Sequence, residues 1–219
     1  MTKIIGHRGL SSKYNDNSII GINEAQKYCS AVEIDLRLTY DNEILLSHDP
    51  FIEGKEIASF RLHDLVKEFP EKALEDHHLT SRSQLGSKPI FFEIKTDLMS
   101  QSKVRILKEK TLPLLRLEDT VICFDWEIIF DLKRNISSNY GIHIENRQQM
   151  YQAEKLSLSD KKIYFLVKAD LINNKDFNLP NERVVAWTVN DIDLAKRLIE
   201  LSISGIITDR PEEMQMLTI

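Results

Sequence analysis

A chain of 219 residues has room for one large domain or two small ones. With 42% apolar residues, 29% charged residues and a net charge of −5, it has the composition of a soluble globular protein, and the lack of a dense Lys/Arg block argues against an extended nucleic-acid groove. No apolar run approaches the roughly 18 residues of a membrane helix, so membrane insertion is not expected, and an anionic substrate must be met by a local positive site.

The chain opens with "KIIGHRGL" at residues 3–10, where an apolar strand over 3–6 breaks on His7, Arg8 and Gly9. Ile4 and Ile5 are too short a stretch for the core of a signal peptide. Cys29 and Cys123 suit a reducing compartment and have no metal-ligand spacing, so a cytoplasmic location is the expectation. Asn15-Asp16-Asn17 reads as a helix start, and Ile19, Ile22 and Ala25 carry helical spacing over 18–28. β-branched apolar runs follow at 31–36, 89–94, 120–124, 140–144, 163–167, 183–187 and 205–207, with helical periodicity over 103–115 and 192–201. Eight such runs, most followed by a helix, predict a closed (β/α)8 TIM barrel forming one domain over residues 1–219. An open doubly wound sheet is the alternative, and it rarely uses eight strands so evenly. Because the length falls below the ~250 residues typical of such barrels, short loops are expected.

One segment departs from the alternation. In "TYDNEILLS" at 39–47, Asp41-Asn42 has hairpin-turn chemistry and 44–47 returns as a strand, which delivers His48 near the mouth from which the chain left. Residues 62–69 suit a helix, and "EDHHLTSRSQLGSKP" reads as a polar loop.

Within "AVEIDLRL" at 31–38, Glu33 and Asp35 are two apart on a strand and face the same way. "PIFFEIKT" repeats the device with Glu93 and Lys95. Like charges on one face of an apolar strand are costly unless something positive lies between them. One reading is a set of structural ion pairs. The other is an all-oxygen cage of Glu33, Asp35 and Glu93 for a hard divalent cation, Mg²⁺ or Ca²⁺, since Zn²⁺ would favour His or Cys. These residues lie at or near the C-terminal ends of their strands, the face of a barrel where chemistry is found. Arg8 offers a planar charged fork for a phosphate, Lys95 adds a point charge, and two histidines offer an acid and a base.

Together "GHRG" at 6–9, "NDNS" at 15–18, "EIDLRLTYDNEILLSHD" at 33–49, "EIK" at 93–95, "WTVND" at 187–191 and "GIITDRPEEM" at 205–214 resemble the glycerophosphodiester phosphodiesterases in order along nearly the whole chain. The resemblance implies a TIM barrel in which His7 and His48 are the catalytic acid–base pair and Arg8 binds phosphate. It further implies that Glu33, Asp35 and Glu93 hold the divalent cation, Lys95 neutralises the phosphate and Trp187 walls the substrate pocket, which Phe124 could also line. The expected reaction cleaves a small-molecule glycerophosphodiester, such as glycerophosphocholine, to glycerol 3-phosphate and an alcohol. Alternatives are the same fold acting on a lysophospholipid, a phosphoinositide or a polysaccharide-linked phosphodiester, or a barrel that only binds phosphodiesters. His7, beside Arg8, is the expected base. His48 is the expected acid, because Asp49 favours its charged form.

Departures from the family pattern are Asn15-Asp16-Asn17-Ser18 in place of Pro-Glu-Asn-Thr, Asn42 in place of Gly, and a shortened stretch between His48 and Glu93. Ser18 keeps a capping hydroxyl. His63, His77, His78 and His143 are expected to be solvated, and Cys123 to be a small packed residue rather than a nucleophile.

Overall fold

A computed structural model describes residues 1–172 and 177–217. Eight parallel strands close on themselves: β1 (Lys3–His7), β2 (Ala31–Leu38), β7 (Ile90–Ile94), β8 (Thr120–Cys123), β9 (Asn139–Ile144), β10 (Tyr164–Lys168), β11 (Val184–Trp187) and β12 (Gly205–Thr208). Each pairs with the next around the ring, and β12 and β2 both pair with β1 to complete it. The expected TIM barrel is therefore present, with all eight apolar runs as its staves.

Helices α1 (Ile19–Ala25), α3 (Gln101–Thr111), α4 (Trp126–Leu132), α5 (Arg147–Ser159), α6 (Ala169–Ile172), α7 (Ile192–Glu200) and α8 (Pro211–Met214) occupy the connections. Ser18 caps α1 by accepting from the Gly21 amide, as its hydroxyl at the helix start implies. The main core lies between strands and helices: Ile34, Leu36, Phe92, Val121, Ile142 and Phe165 point outward into it. A smaller cluster with Ile5, Ile122, Leu166 and Val185 fills the barrel interior.

β2 overshoots the barrel and folds back through Asn42, whose φ of +65° suits the turn, onto antiparallel β3 (Ile44–Leu46), with Leu38 opposite Ile44. Beyond β3 lie the strand pair β4 (Phe51–Ile52) and β5 (Lys55–Glu56), helix α2 (Leu62–Glu68), and β6 (His78–Leu79), which adds to β3. These pack over Leu45, Ile57, Leu65 and Leu74 as a small cap. The stretch expected to be a polar loop is thus partly ordered: residues 74–77 and 82–85 are 3-10 turns, and Leu79, Arg82 and Leu85 are buried. Its polar letters misled because Arg82 is neutralised by Asp119, 37 residues away, through two hydrogen bonds of 3.0 Å.

Candidate active site

β1 ends because Arg8 and Gly9 take left-handed backbone, with φ of +54° and +92°. A side chain at Gly9 would bring its Cβ within 2.9 Å of the α1 backbone, so the close approach of helix and turn requires glycine. That turn places His7 opposite Glu33 in the β1–β2 register, while Asp35 lies opposite Glu93 in the β2–β7 register. The four side chains, with Arg8, Lys95 and His48, line one cavity of about 90 Å³ at the C-terminal mouth. Phe124, His143 and Trp187 form its aromatic wall: Phe124 stacks on His143 with centroids 3.9 Å apart, and Trp187 meets both edge-on.

The acids form one buried cluster. Glu33, Asp35 and Glu93 each offer an oxygen within 4.8 Å of the others. Lys95 Nζ lies 2.9 Å from Asp35 Oδ1 and hydrogen-bonds Glu93. Asn17 donates to Asp35 Oδ2 at 2.8 Å and accepts from the Asp35 backbone amide at 2.9 Å, so one end of the Asn17 side chain holds the carboxylate and the other the backbone of the same residue. Arg8 Nε lies 3.4 Å from Asp35 Oδ2, its Nη1 pairs with Asp16 at 3.2 Å, and its backbone amide donates to Glu33 Oε2 at 3.1 Å. Asp16, although a methylene shorter than the family's Glu, thus reaches Arg8.

Three carboxylates face two cations, and protonation follows from that imbalance. Burial, reinforced by Asp35 and the other nearby acid, pushes Glu33 well above the usual carboxylate range. Burial also lifts Glu93 to about 7, against the pull of Lys95. Burial acts the same way on Asp35, but Lys95, the Asn17 hydrogen bond and Arg8 outweigh it and hold Asp35 below the ordinary value. Glu33 Oε1 is buried with no hydrogen-bond partner, an acceptor for which the protein supplies no donor. An all-oxygen donor set with surplus negative charge and an unmatched acceptor fits a hard divalent cation.

Both histidines are anchored through the same ring nitrogen. His7 Nδ1 lies 2.6 Å from Asp209 Oδ1, and its Nε2 turns toward Glu33 at 3.9 Å. The His7 hydrogen bond, with help from Asn190, holds Asp209 below its ordinary range. Asn190 donates to Asp209 Oδ2 at 2.5 Å and accepts from the Asp209 amide at 2.9 Å. His48 Nδ1 lies 2.7 Å from Asp49 Oδ1. Asp49 favours the charged form of His48, as expected, but burial and the positive charge of Lys95 outweigh it and lower the His48 pKa from 6.5. On its outer side His48 joins Arg8 and Phe51 in lining a groove of about 560 Å³ between the barrel mouth and the cap.

Two of the four histidines expected to be solvated are not. His143 is 3% exposed with its Nε2 3.5 Å from Glu93 Oε2, and burial followed by Lys95 pulls its pKa down to about 3, so it is a neutral ring. His77 is buried beneath the cap, with Nδ1 3.2 Å from the Leu46 carbonyl. His63 is exposed and His78 pairs with Glu43 at the surface. The Cys123 thiol is buried and pushed up to about 12 by that burial, which keeps it unreactive. Sequence reasoning missed Asp209, Asn190 and His143 as site residues. Asp209 follows the last barrel strand directly, the same position that singled out His7, so the strand-end rule could have found it.

A profile of the Glycerophosphoryl diester phosphodiesterase family matches residues 7–176. A glycerophosphodiester phosphodiesterase of Caldanaerobacter subterraneus subsp. tengcongensis is 24% identical, over 97% of this chain and 96% of that protein. Among solved structures, the glycerophosphodiester phosphodiesterase of Thermotoga maritima aligns with a TM-score of 0.79 at 21% identity, covering 99% of this chain and 98% of the other. An Oleispira antarctica phosphodiesterase, solved in complex with the product sn-glycerol-3-phosphate, aligns with a TM-score of 0.77 at 18% identity, covering 100% and 97%. At these identities the structural likenesses show the fold.

Proposed function

The chain belongs to the glycerophosphoryl diester phosphodiesterase family, and from that premise we propose that it hydrolyses a glycerophosphodiester to glycerol 3-phosphate and an alcohol, using His7 and His48 with a divalent cation at Glu33, Asp35 and Glu93. The observation that carries this reading is the pair of histidines, each tied by Nδ1 to an aspartate, beside a buried acid cluster with an unmatched oxygen. A module that only bound phosphodiesters would need the charges but not two oriented rings.

In hydrolysis a new P–O bond forms to the oxygen of water and the P–O bond to the alcohol breaks. One proton must leave the attacking oxygen and one must reach the departing alkoxide. With Nδ1–H donated to Asp209, the neutral His7 ring presents its Nε2 lone pair to the mouth and takes the first proton. Protonated His48 gives the second. Arg8 grips the phosphate oxygens with its planar fork, and Lys95 balances their charge. Mg²⁺ or Ca²⁺, when bound, would polarise a phosphoryl oxygen as a Lewis acid. The aromatic wall of Phe124, His143 and Trp187 shields one side of the cavity from water. Burial lowers the His48 pKa first and Lys95 and Arg8 add to it; an arriving phosphate anion offsets the two positive charges and so favours the protonated form, working with Asp49 against burial.

We further propose that residues 1–219 act as one domain, in the cytoplasm, on a small-molecule substrate. The test is a screen of purified protein against glycerophosphodiesters and other phosphodiesters with Mg²⁺ or Ca²⁺ added. Release of glycerol 3-phosphate from the former is expected, and its absence from every substrate would overturn the reading.

A further inference from the structure

Arg37 lies two residues beyond Asp35 on β2, and nothing in the hydrolysis above uses it. Its side chain is only 4% exposed, yet its charge is met by Asp97, a carboxylate that is 55% exposed. Its Nε and Nη2 both donate to the backbone carbonyl of His48, at 3.0 and 2.5 Å. Nη2 also reaches both carboxylate oxygens of Asp97 at 2.9 and 3.0 Å, and Nη1 the Asp97 carbonyl at 3.3 Å. One guanidinium therefore joins the loop carrying His48 to the chain two residues past Lys95. Desolvating this cation is costly, and its partners are the His48 carbonyl and the Asp97 segment rather than a buried carboxylate such as the Asp119 that meets Arg82.

His48 is where such a fastening matters. It stands outside the β3 ladder, which ends at Leu46, with a side chain 44% exposed, and Pro50 follows two residues later. The last backbone tie to the barrel is the Ser47 amide to the Asp35 carbonyl, at 3.2 Å. Within the loop, His48 bonds Asp49, and the Ser47 hydroxyl donates to the Asp49 carbonyl at 3.0 Å. These contacts set the ring against its own loop, whereas Arg37 sets His48 itself against the barrel. We propose that Arg37 is a positioning residue for the hydrolysis, fixing His48 relative to the phosphate site so that its proton reaches the leaving alcohol. The proposal rests on the acid role given to His48 above.

The test compares an alkyl ester, glycerophosphocholine, with a p-nitrophenyl ester of glycerol phosphate, whose leaving group needs no proton. Arg37→Gln, Arg37→Lys, His48→Ala and the Arg37→Gln/His48→Ala pair are assayed with saturating Mg²⁺ below their melting temperatures. Misplacement by about 1 Å costs roughly 100-fold, so Arg37→Gln should lower kcat on the alkyl ester by roughly 10–100-fold. KM and the nitrophenyl rate should stay within about threefold, and Arg37→Lys, which retains donors to the His48 carbonyl, should recover part of the loss. On the His48→Ala background, Arg37→Gln should add no more than about twofold, as expected for residues acting through one another. Equal loss on both esters, or a fully additive loss in the pair, would show a structural role only and overturn the proposal. If Arg37→Gln does not fold, Arg37→Lys alone and paired with His48→Ala carries the same comparison. A leaving-group-dependent loss in His48→Ala with unaffected Arg37 variants refutes the positioning role alone. Equal loss on both esters in His48→Ala refutes the acid role and this proposal with it.

Discussion

The two ends of the barrel both bury ion pairs, and they treat them in opposite ways. At the N-terminal end Arg82 and Asp119 form a closed unit. Asp119 accepts two bonds from Arg82, one from the Ile90 amide at 2.7 Å and one from the Arg116 amide at 2.9 Å. Arg82 spends its remaining donors on the Gly86 and Lys88 carbonyls at 3.0 and 2.8 Å. At the C-terminal end, three acids share Lys95 and Arg8, Glu33 Oε1 has no donor, and two carboxyls are pushed upward by burial. A buried ion pair whose every polar atom is matched holds the fold, whereas a cluster with surplus acids and an unmatched oxygen keeps acceptor capacity that the protein's own donors do not fill.

Substitutions should separate the two ends by what they damage. At the functional end, His7→Ala removes the proposed base and should lower kcat by roughly 100- to 10,000-fold on alkyl and nitrophenyl esters alike, with little change in melting temperature. At the structural end, Asp119→Ala leaves the Arg82 cation buried alone. It should cost about 3–5 kcal/mol in denaturant unfolding, while kcat/KM measured below the melting point stays near wild type. Loss of activity without loss of stability in Asp119→Ala would break the contrast. Arg8→Lys keeps the charge but loses the fork, and should cost roughly 10–100-fold in kcat/KM.

A smaller effect sharpens the comparison through pH. Without cation, Glu93 holds its proton up to about 7 in the folded protein, while in the unfolded chain it releases it near its ordinary value of 4.5. Below that value the carboxyl is protonated in both states. Between there and about 7 the native state binds the extra proton, so stability should fall as pH rises. Urea unfolding with chelator should show this downward slope, and saturating Mg²⁺ or Glu93→Gln should flatten it. A slope insensitive to both would mean that the acid cluster does not carry the imbalance.

Legibility in the sequence followed the same division of physics. The barrel was readable because strands buried on both faces are continuous β-branched runs, and charges within such runs, as at Glu33, Asp35 and Glu93, stand out against their setting. His143 lies between Ile142 and Ile144 on just such a strand, yet an imidazole is compatible with either water or a core. Its burial depends on Phe124 and Trp187, which lie far along the chain. Arg82 and His77 were misread for the same reason: local polarity suggested solvent, and the partners that make burial tolerable, Asp119 and the Leu46 carbonyl, are distant in sequence. Asp209 was visible in "GIITDRPEEM" but needed the closed barrel, with β12 beside β1, to be seen as the partner of His7.

Stripping the protein with chelator and following glycerol 3-phosphate release from glycerophosphocholine decides whether the acid cluster of Glu33, Asp35 and Glu93 holds a divalent cation on which hydrolysis depends. If it does, turnover is abolished and returns on adding Mg²⁺ or Ca²⁺, and Glu93→Gln shifts the restoring concentration upward. Full turnover in the metal-stripped protein would contradict it.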